Sequence, residues 1–271
     1  MDPRLQRRVQ RYGWDKAAEF YERYWSEQLS PAQWRLLELA DLKPGERVID
    51  VACGTGLVTF PAAEAIGPAG HLLATDLSDV MVARVSEEAM RRGASQVSAR
   101  RMDAESLECA DASFDVALCA LGLMYVPDPL RALGEMRRVL VDGGRAVAAV
   151  WGRRDCCGWA EIFPIVDRRV ASDVCPMFFQ LGTGDTLQFV MEQAGFVDVA
   201  LERLAATLRY DSAETACGAA FAGGPVALAY SRFDAATRAG AEAEYLASID
   251  PWRRGTGYTV PGEFVVARGR R

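Results

Sequence analysis

Val48-Ile49-Asp50-Val51-Ala52-Cys53-Gly54-Thr55-Gly56 is the stretch whose residue types and spacing could do chemistry. A β-branched run leads into two glycines one residue apart, and a helical pattern follows. Glycines at such a place let the chain turn tightly and let a ligand approach the backbone without a Cβ clash. The helix start beyond them offers unpaired N–H groups to a polar or anionic group. Asp76 stands twenty residues after Gly56, at the end of His71-Leu72-Leu73-Ala74-Thr75-Asp76, another strand-like run. A carboxylate at a strand end can accept two hydrogen bonds from a ribose diol. Two glycines alone would fit a plain turn, but glycine loop and strand-terminal acid together point to a nucleoside cofactor. A dinucleotide fingerprint wants a third glycine where this chain has Thr59, so the pyrophosphate-facing element is missing. A nicotinamide-dependent reductase is further opposed by the lysines, Lys16 and Lys43, which both precede the loop and leave no Tyr-x-x-x-Lys pair.

Other reactive residue types are sparse. His71 is the single histidine, which argues against a His-rich metal site or a Ser-His-Asp triad, and it reads as a surface residue. Seven cysteines are an odd number, and reduced thiols are expected. Cys53 beside the loop reads as a small residue that the turn requires, not as a nucleophile. Cys156-Cys157 has no second cysteine pair or histidine at ligand spacing, so no metal site is expected.

The motif at 48–56 resembles the first motif of the class I S-adenosylmethionine-dependent methyltransferases. The resemblance continues in order through Asp76, Met102-Asp103-Ala104-Glu105, Phe114-Asp115-Val116 leading to Leu121-Gly122-Leu123, and Leu140-Val141-Asp142-Gly143-Gly144-Arg145. It covers roughly residues 45–151, and its style is that of the small-molecule branch with the ubiquinone and menaquinone C-methyltransferases. The cofactor it implies is S-adenosyl-L-methionine, with S-adenosyl-L-homocysteine as product. It implies that Asp50, Gly54 and Gly56, with the loop residues Ala52, Cys53 and Thr55, surround the methionine portion. Asp76 would hold the ribose hydroxyls, with Leu77 and Met81 on the adenine face. Asp103 would accept from the adenine amine, Ala104 would offer its N–H to the ring, and Met102 stands beside them. Ala120 and Leu121 would border the methionine chain; the related quinone enzymes often carry serine where this chain has Ala120, which leaves only backbone contact there. Taken alone, Asp103 would read as a helix N-cap for the residues after it; within the ordered motif set the cofactor role is the reading.

The elements that must position these residues follow from periodicity. Strands are expected at 47–51, 71–75, 97–102, 114–119 and 145–151, and helices at 56–66, 79–92 and 129–140. Such alternation implies βαβ units and a parallel sheet covered on both faces. Gly143-Gly144 reads as the turn before the fifth strand. Upstream, a helix over 15–29 would end at Ser30-Pro31, where Ser as N-cap and Pro as first residue start a second helix. Tyr21 and Trp25 lie at i and i+4 on one face, where related enzymes fold a helical lid, so both are expected against the cofactor. Beyond 152 come a helix near 186–194, a strand near 197–209, an Ala-rich helical stretch over 212–249 and a last strand near 258–268. Phe178, Phe179, Tyr230, Tyr245 and Trp252 are candidates for acceptor-pocket walls.

The expected fold is α/β: a Rossmann-like, seven-stranded, mostly parallel sheet with helices on both faces and a helical cap, its last two strands an antiparallel edge. Residues 1–44 would be an N-terminal helical lid and 45–151 the cofactor-binding core. Residues 152–271 would supply cap insertions and the final two strands. The 271 residues carry a net charge of −6, which argues against nucleic acid as partner. The N-terminus has no signal-peptide core and no membrane span is expected, so a cytoplasmic protein is the reading. A homodimer is compatible with it. The implied activity is in-line methyl transfer to a small aromatic, quinone-like or isoprenoid acceptor, on carbon or oxygen, with no residue assigned as base. The one histidine is out of place for that task, which favours an easily ionised phenol or enol, or an amine. Methylation of RNA or protein, and a non-catalytic S-adenosylmethionine-binding module, are the alternatives.

Overall fold

The computed structural model describes residues 3–170 and 177–271, so residues 1–2 of the expected lid and 171–176 of the expected cap lie outside the described residues. A long helix α1 (Pro3–Ala40) precedes the alternating region: β1 (Arg47–Val51), α2 (Thr59–Ile66), β2 (His71–Asp76), α3 (Asp79–Arg92), β3 (Val97–Arg101), β4 (Phe114–Ala120), α4 (Pro129–Val139) and β5 (Leu140–Trp151). The second half holds α5 (Ile162–Val170), α6 (Thr186–Gln193), β6 (Val197–Tyr210), α7 (Ala213–Cys217), α8 (Ala227–Ser231), α9 (Ala235–Ile249), β7 (Arg253–Arg254) and β8 (Gly257–Arg270). Strand order is β3-β2-β1-β4-β5-β8-β6, with the two-residue β7 on β8. The first five strands pair in parallel; β8 runs antiparallel to both β5 and β6. This is a mostly parallel Rossmann-like sheet whose main path has the expected seven strands. Among the described residues, no helix is long and apolar enough to cross a membrane.

The inner parallel strands read as near-continuous apolar runs because they are buried on both faces, as in the all-buried Val48–Val51 and Leu72–Thr75. The chain order reverses at β1, which lies between β2 and β4; open α/β sheets bind ligands at such a switch point, beyond the strand C-termini. The Ser78 side chain accepts from the Met81 N–H at the start of α3, and Gly93 closes that helix in the left-handed region.

Helix α1 begins at Pro3, not at residue 15, and three further boundaries differ from those expected, each for a local reason. Ser30-Pro31 does not start a second helix, since α1 runs through it. Proline leaves the Glu27 carbonyl without its usual N–H donor, and the Ser30 hydroxyl donates to that carbonyl at 2.8 Å instead. Helix α2 begins at Thr59, not Gly56, because Gly56 has φ +96° and cannot join a right-handed helix. Gly143-Gly144 does not precede β5 but lies within it, where the register with β4 jumps between Phe114–Leu140 and Val116–Arg145.

Candidate active site

The C-terminal ends of β1 to β4 open onto one cavity with about 750 Å³ of empty space. β1 contributes Ala52 and Gly54, β2 leads to Asp76 and Leu77, β3 to Met102, Asp103 and Ala104, and β4 to Ala120 and Leu121. Met81 from the first turn of α3 completes an apolar slab with Leu77 and Met102. Tyr21 closes the cavity from α1, its ring 3.9 Å from where a Cβ on Gly54 would stand. Eleven of the sixteen residues singled out for the cofactor therefore share this wall.

Asp76 is the polar centre. Its Oδ2 accepts the Gly54 N–H at 3.0 Å and its Oδ1 accepts the Ser78 N–H at 2.9 Å. Burial pushes its pKa up, and the same backbone donors pull it down. Each oxygen keeps a lone pair beyond its backbone bond, so the carboxylate can still accept from a diol. The backbone on either side of the switch point is strained: Ala52 has φ 57° and Leu121 φ 62°, left-handed values that non-glycine residues rarely take. Gly122 allows the two turns to touch, since a Cβ there would lie 2.5 Å from the Ala52 Cβ.

Five expected contacts lie elsewhere. Asp50 points away from the cavity into the interior, where it accepts the Thr59 hydroxyl at 2.6 Å. Thr55 and Gly56 border a separate open cleft with Phe60 and Arg92, on the far side of the loop. Cys53 is buried behind the turn, where burial and the Asp76 and Asp50 charges push its thiol pKa well up. Trp25 misses the cofactor cavity because four residues of helix carry it about 6 Å past Tyr21; it lines a second, apolar chamber instead.

That second chamber, with about 320 Å³ of empty space, shares Trp14, Tyr21, Leu121 and Tyr125 with the cofactor cavity. The three rings stand edge to face, Trp14–Tyr21 at 5.6 Å and Trp14–Tyr125 at 5.1 Å between centroids. Of the residues expected to wall an acceptor pocket, Phe178 lines this chamber. Phe179 packs behind Phe178 at 4.8 Å, Tyr245 is fully buried away from it, Tyr230 bonds Glu242, and Trp252 faces a surface pocket beside Cys157.

Sequence reasoning missed Arg7, Gln10, Trp14 and Tyr125, all of which line the cofactor cavity. The signal for the first three was present: residues 7, 10, 14 and 21 fall on one stripe of a helix at heptad spacing. Arg7 Nε lies 2.8 Å from Asp103 Oδ2, and the guanidinium also pairs with the buried Glu105. Asp103 Oδ1 accepts the Glu105 N–H at 3.0 Å, so the turn-capping and cavity-facing roles coexist in one carboxylate.

Residues 48–144 match the family model described as a methyltransferase domain. The aklanonic acid methyltransferase DauC of Streptomyces sp. strain C5 is 34% identical over 131 residues, 48% of this chain and 60% of that protein. The ubiquinone/menaquinone biosynthesis C-methyltransferase UbiE of Methylobacterium nodulans is 35% identical over 141 residues, 51% of this chain and 56% of that protein. The match thus spans little more than half the length of these curated relatives. The solved structure of the YcgJ protein from Bacillus subtilis superposes with a TM-score of 0.63 at 17% identity, covering 89% of this chain and 98% of that one, a likeness of fold.

Proposed function

We propose that this chain, which carries a methyltransferase domain over residues 48–144, is an enzyme that methylates a small apolar acceptor from S-adenosylmethionine and releases S-adenosylhomocysteine. One observation carries the reading: the Asp76 carboxylate, fixed by the Gly54 and Ser78 N–H groups, opens on a cavity with an apolar slab of Leu77, Met81 and Met102. An acid for a ribose diol beside a slot for a flat base fits an adenosine-bearing cofactor. When bound, the sulfonium supplies an activated methyl, whose C–S electron pair returns to sulfur as the bond to the acceptor forms. The chain's own part is to hold the two reactants in line and keep water out. Tyr21 and Leu121 stand at the boundary between cavity and chamber, where that alignment would be set. Among the described residues, no carboxylate or histidine lines the chamber. Burial and the Asp76 charge raise the Tyr21 pKa, so that phenol is no base at neutral pH. That lining favours an acceptor that arrives ionised or already nucleophilic.

The reading extends to a lid at residues 1–44, a core at 45–151 and a cap with the last strands at 152–271. It also extends to a small-molecule partner and a cytoplasmic setting, the latter on the six described cysteines, all free. Titration calorimetry with S-adenosylhomocysteine tests it. Asp76→Asn should weaken binding about 100-fold, two charge-assisted hydrogen bonds at ~1.5 kcal/mol each. Unchanged affinity would sink the assignment of the ribose site. Labelled S-adenosylmethionine added with fractionated cell extract should then mark small metabolites; label only in RNA or protein would overturn the acceptor class. Binding with no transfer to any fraction would favour a non-catalytic module.

A further inference from the structure

Ser78 stands where the ribose site, helix α3 and helix α1 meet. It is fully buried, and its polar groups are committed. Its N–H donates to Asp76 Oδ1 at 2.9 Å, its Oγ accepts the Met81 N–H at 3.1 Å, and its hydroxyl donates to Asp15 Oδ1 at 2.5 Å. The first bond orients the carboxylate of the ribose site, and the second fixes the turn that presents Met81 to the apolar slab. The third reaches outside the site, since Asp15 belongs to α1 and does not line the cavity. A serine hydroxyl has one hydrogen to give. With that hydrogen directed at Asp15, an Oγ lone pair is left for Met81, so the acceptor on α1 bears on how the start of α3 is held. Arg11 lies one helical turn before Asp15 on the same face and pairs with Asp79, the residue after Ser78. One face of α1 therefore grips two successive residues at the start of α3.

We propose that Asp15 is a positioning residue of the cofactor site: by holding the Ser78 hydroxyl, it links the seating of α1 to the orientation of the Asp76 carboxylate. This rests on the methyl-transfer reading and adds to it a residue that acts on the cofactor without touching it. Two consequences follow from the geometry. Without an acceptor at position 15, the Ser78 hydroxyl is a buried donor left unmade, and the turn that carries Asp76 and Met81 loosens. The second is electrostatic. Burial raises the Asp76 pKa, the Ser78, Gly54 and Leu77 N–H groups lower it, and the Asp15 charge raises it. Asp76 also faces Tyr21 on α1, Asp50 and Cys53 at the end of β1, and Cys119 on β4, and a change at Asp15 leaves all four in place. Taking away the Asp15 charge therefore favours the ionised Asp76, the form that accepts fully from a diol.

Calorimetry with S-adenosylhomocysteine between about pH 4 and pH 8 tests it. Asp15→Ala removes the acceptor and should weaken binding at pH 8 about tenfold. Asp15→Asn keeps an oxygen for the Ser78 hydroxyl and should recover most of that loss. Its missing charge lowers the Asp76 pKa, so the pH at which affinity falls off should move down by roughly half a unit. A role confined to packing α1 on α3 would weaken binding equally at every pH and leave that midpoint where it is. An alanine variant that binds as tightly as the wild type, or an asparagine profile that coincides with the wild type's, would overturn the proposal and leave the methyl-transfer reading intact. A wild type that does not bind S-adenosylhomocysteine would overturn both. Should Asp15→Ala fail to fold, the asparagine profile decides.

Discussion

Asp50 illustrates how a residue of the cofactor motif can act without facing the ligand. It is 1% exposed, and burial, opposed by the Thr59 hydrogen bond and reinforced by the Asp76 charge, pushes its pKa up to about 7. An unfolded aspartate titrates near ~4. Between those values the folded chain keeps a proton that the unfolded chain has lost. Stability from this group is therefore full below ~pH 4, falls as pH rises, and levels off above ~pH 7, with a slope of up to ~1.4 kcal/mol per pH unit. The raised pKa of Asp76 adds in the same direction. Asn in place of Asp50 can still accept the Thr59 hydroxyl and never ionises. Asp50→Asn should flatten the loss of urea midpoint between pH 5 and pH 7 and leave the protein at least as stable as the wild type at pH 8. A variant that loses midpoint equally at both ends would show that the carboxylate is needed charged. The sequence could place Asp50 in the motif, because strand and glycine turn are local patterns. It could not say which way the side chain points, because that depends on Thr59 nine residues on, in a helix whose start Gly56 delays.

Helix α1 shows the same division one level up. That residues 15–40 are helical was legible, and so was their aromatic content, but neither the start at Pro3 nor the continuity of the helix was. Ser-Pro reads as a start in any local window, and only the Ser30 bond to the Glu27 carbonyl lets the helix pass through. An interior proline costs about 3 kcal/mol relative to alanine, of which the serine recovers part. Pro31 is exposed, so replacing it disturbs no core packing. Pro31→Ala should raise stability by ~1–3 kcal/mol, read as an increase in thermal midpoint; a decrease would mean that the proline bends α1 into a shape the sheet requires. Which stripe of α1 meets the cavity was legible in principle at residues 7, 10, 14 and 21. Its overall polarity hid that stripe, since most of its outward positions are charged. The alternating strands and helices of the core were easier to read, because both faces of a parallel sheet must be covered and each βαβ step repeats the pattern.

At the scale of the whole molecule, α1 is a strap of roughly 57 Å that crosses the mouth of the cavity and is fastened differently at its two ends. Its second half is bound to the outer strand β6. Gln28 exchanges two hydrogen bonds with the Arg209 backbone at 2.6 and 2.9 Å, and Arg35 grips Glu202 through two bonds of 2.7 Å. Trp25, Leu29, Leu36 and Ala40 are buried in the main core along the same half. The first half is held by ion pairs from Arg7 and Arg11 to acids around the cavity; apart from the buried Glu105 the partners are partly exposed, and pairs of that kind hold weakly. A cofactor the size of the cavity has to enter past that weaker half. Hydrogen exchange followed by mass spectrometry should therefore show residues 3–21 slowed at least several-fold by S-adenosylhomocysteine, through suppressed fraying, while residues 28–40 exchange at the same rate with and without it. Equal slowing along the whole helix would mean that α1 closes as one rigid body. No slowing in the first half would mean that the ligand reaches the Asp76 site by another face of the cap. This arrangement was beyond reach of the sequence, because it joins residues 7 and 103, and 35 and 202, through contacts that no local period encodes.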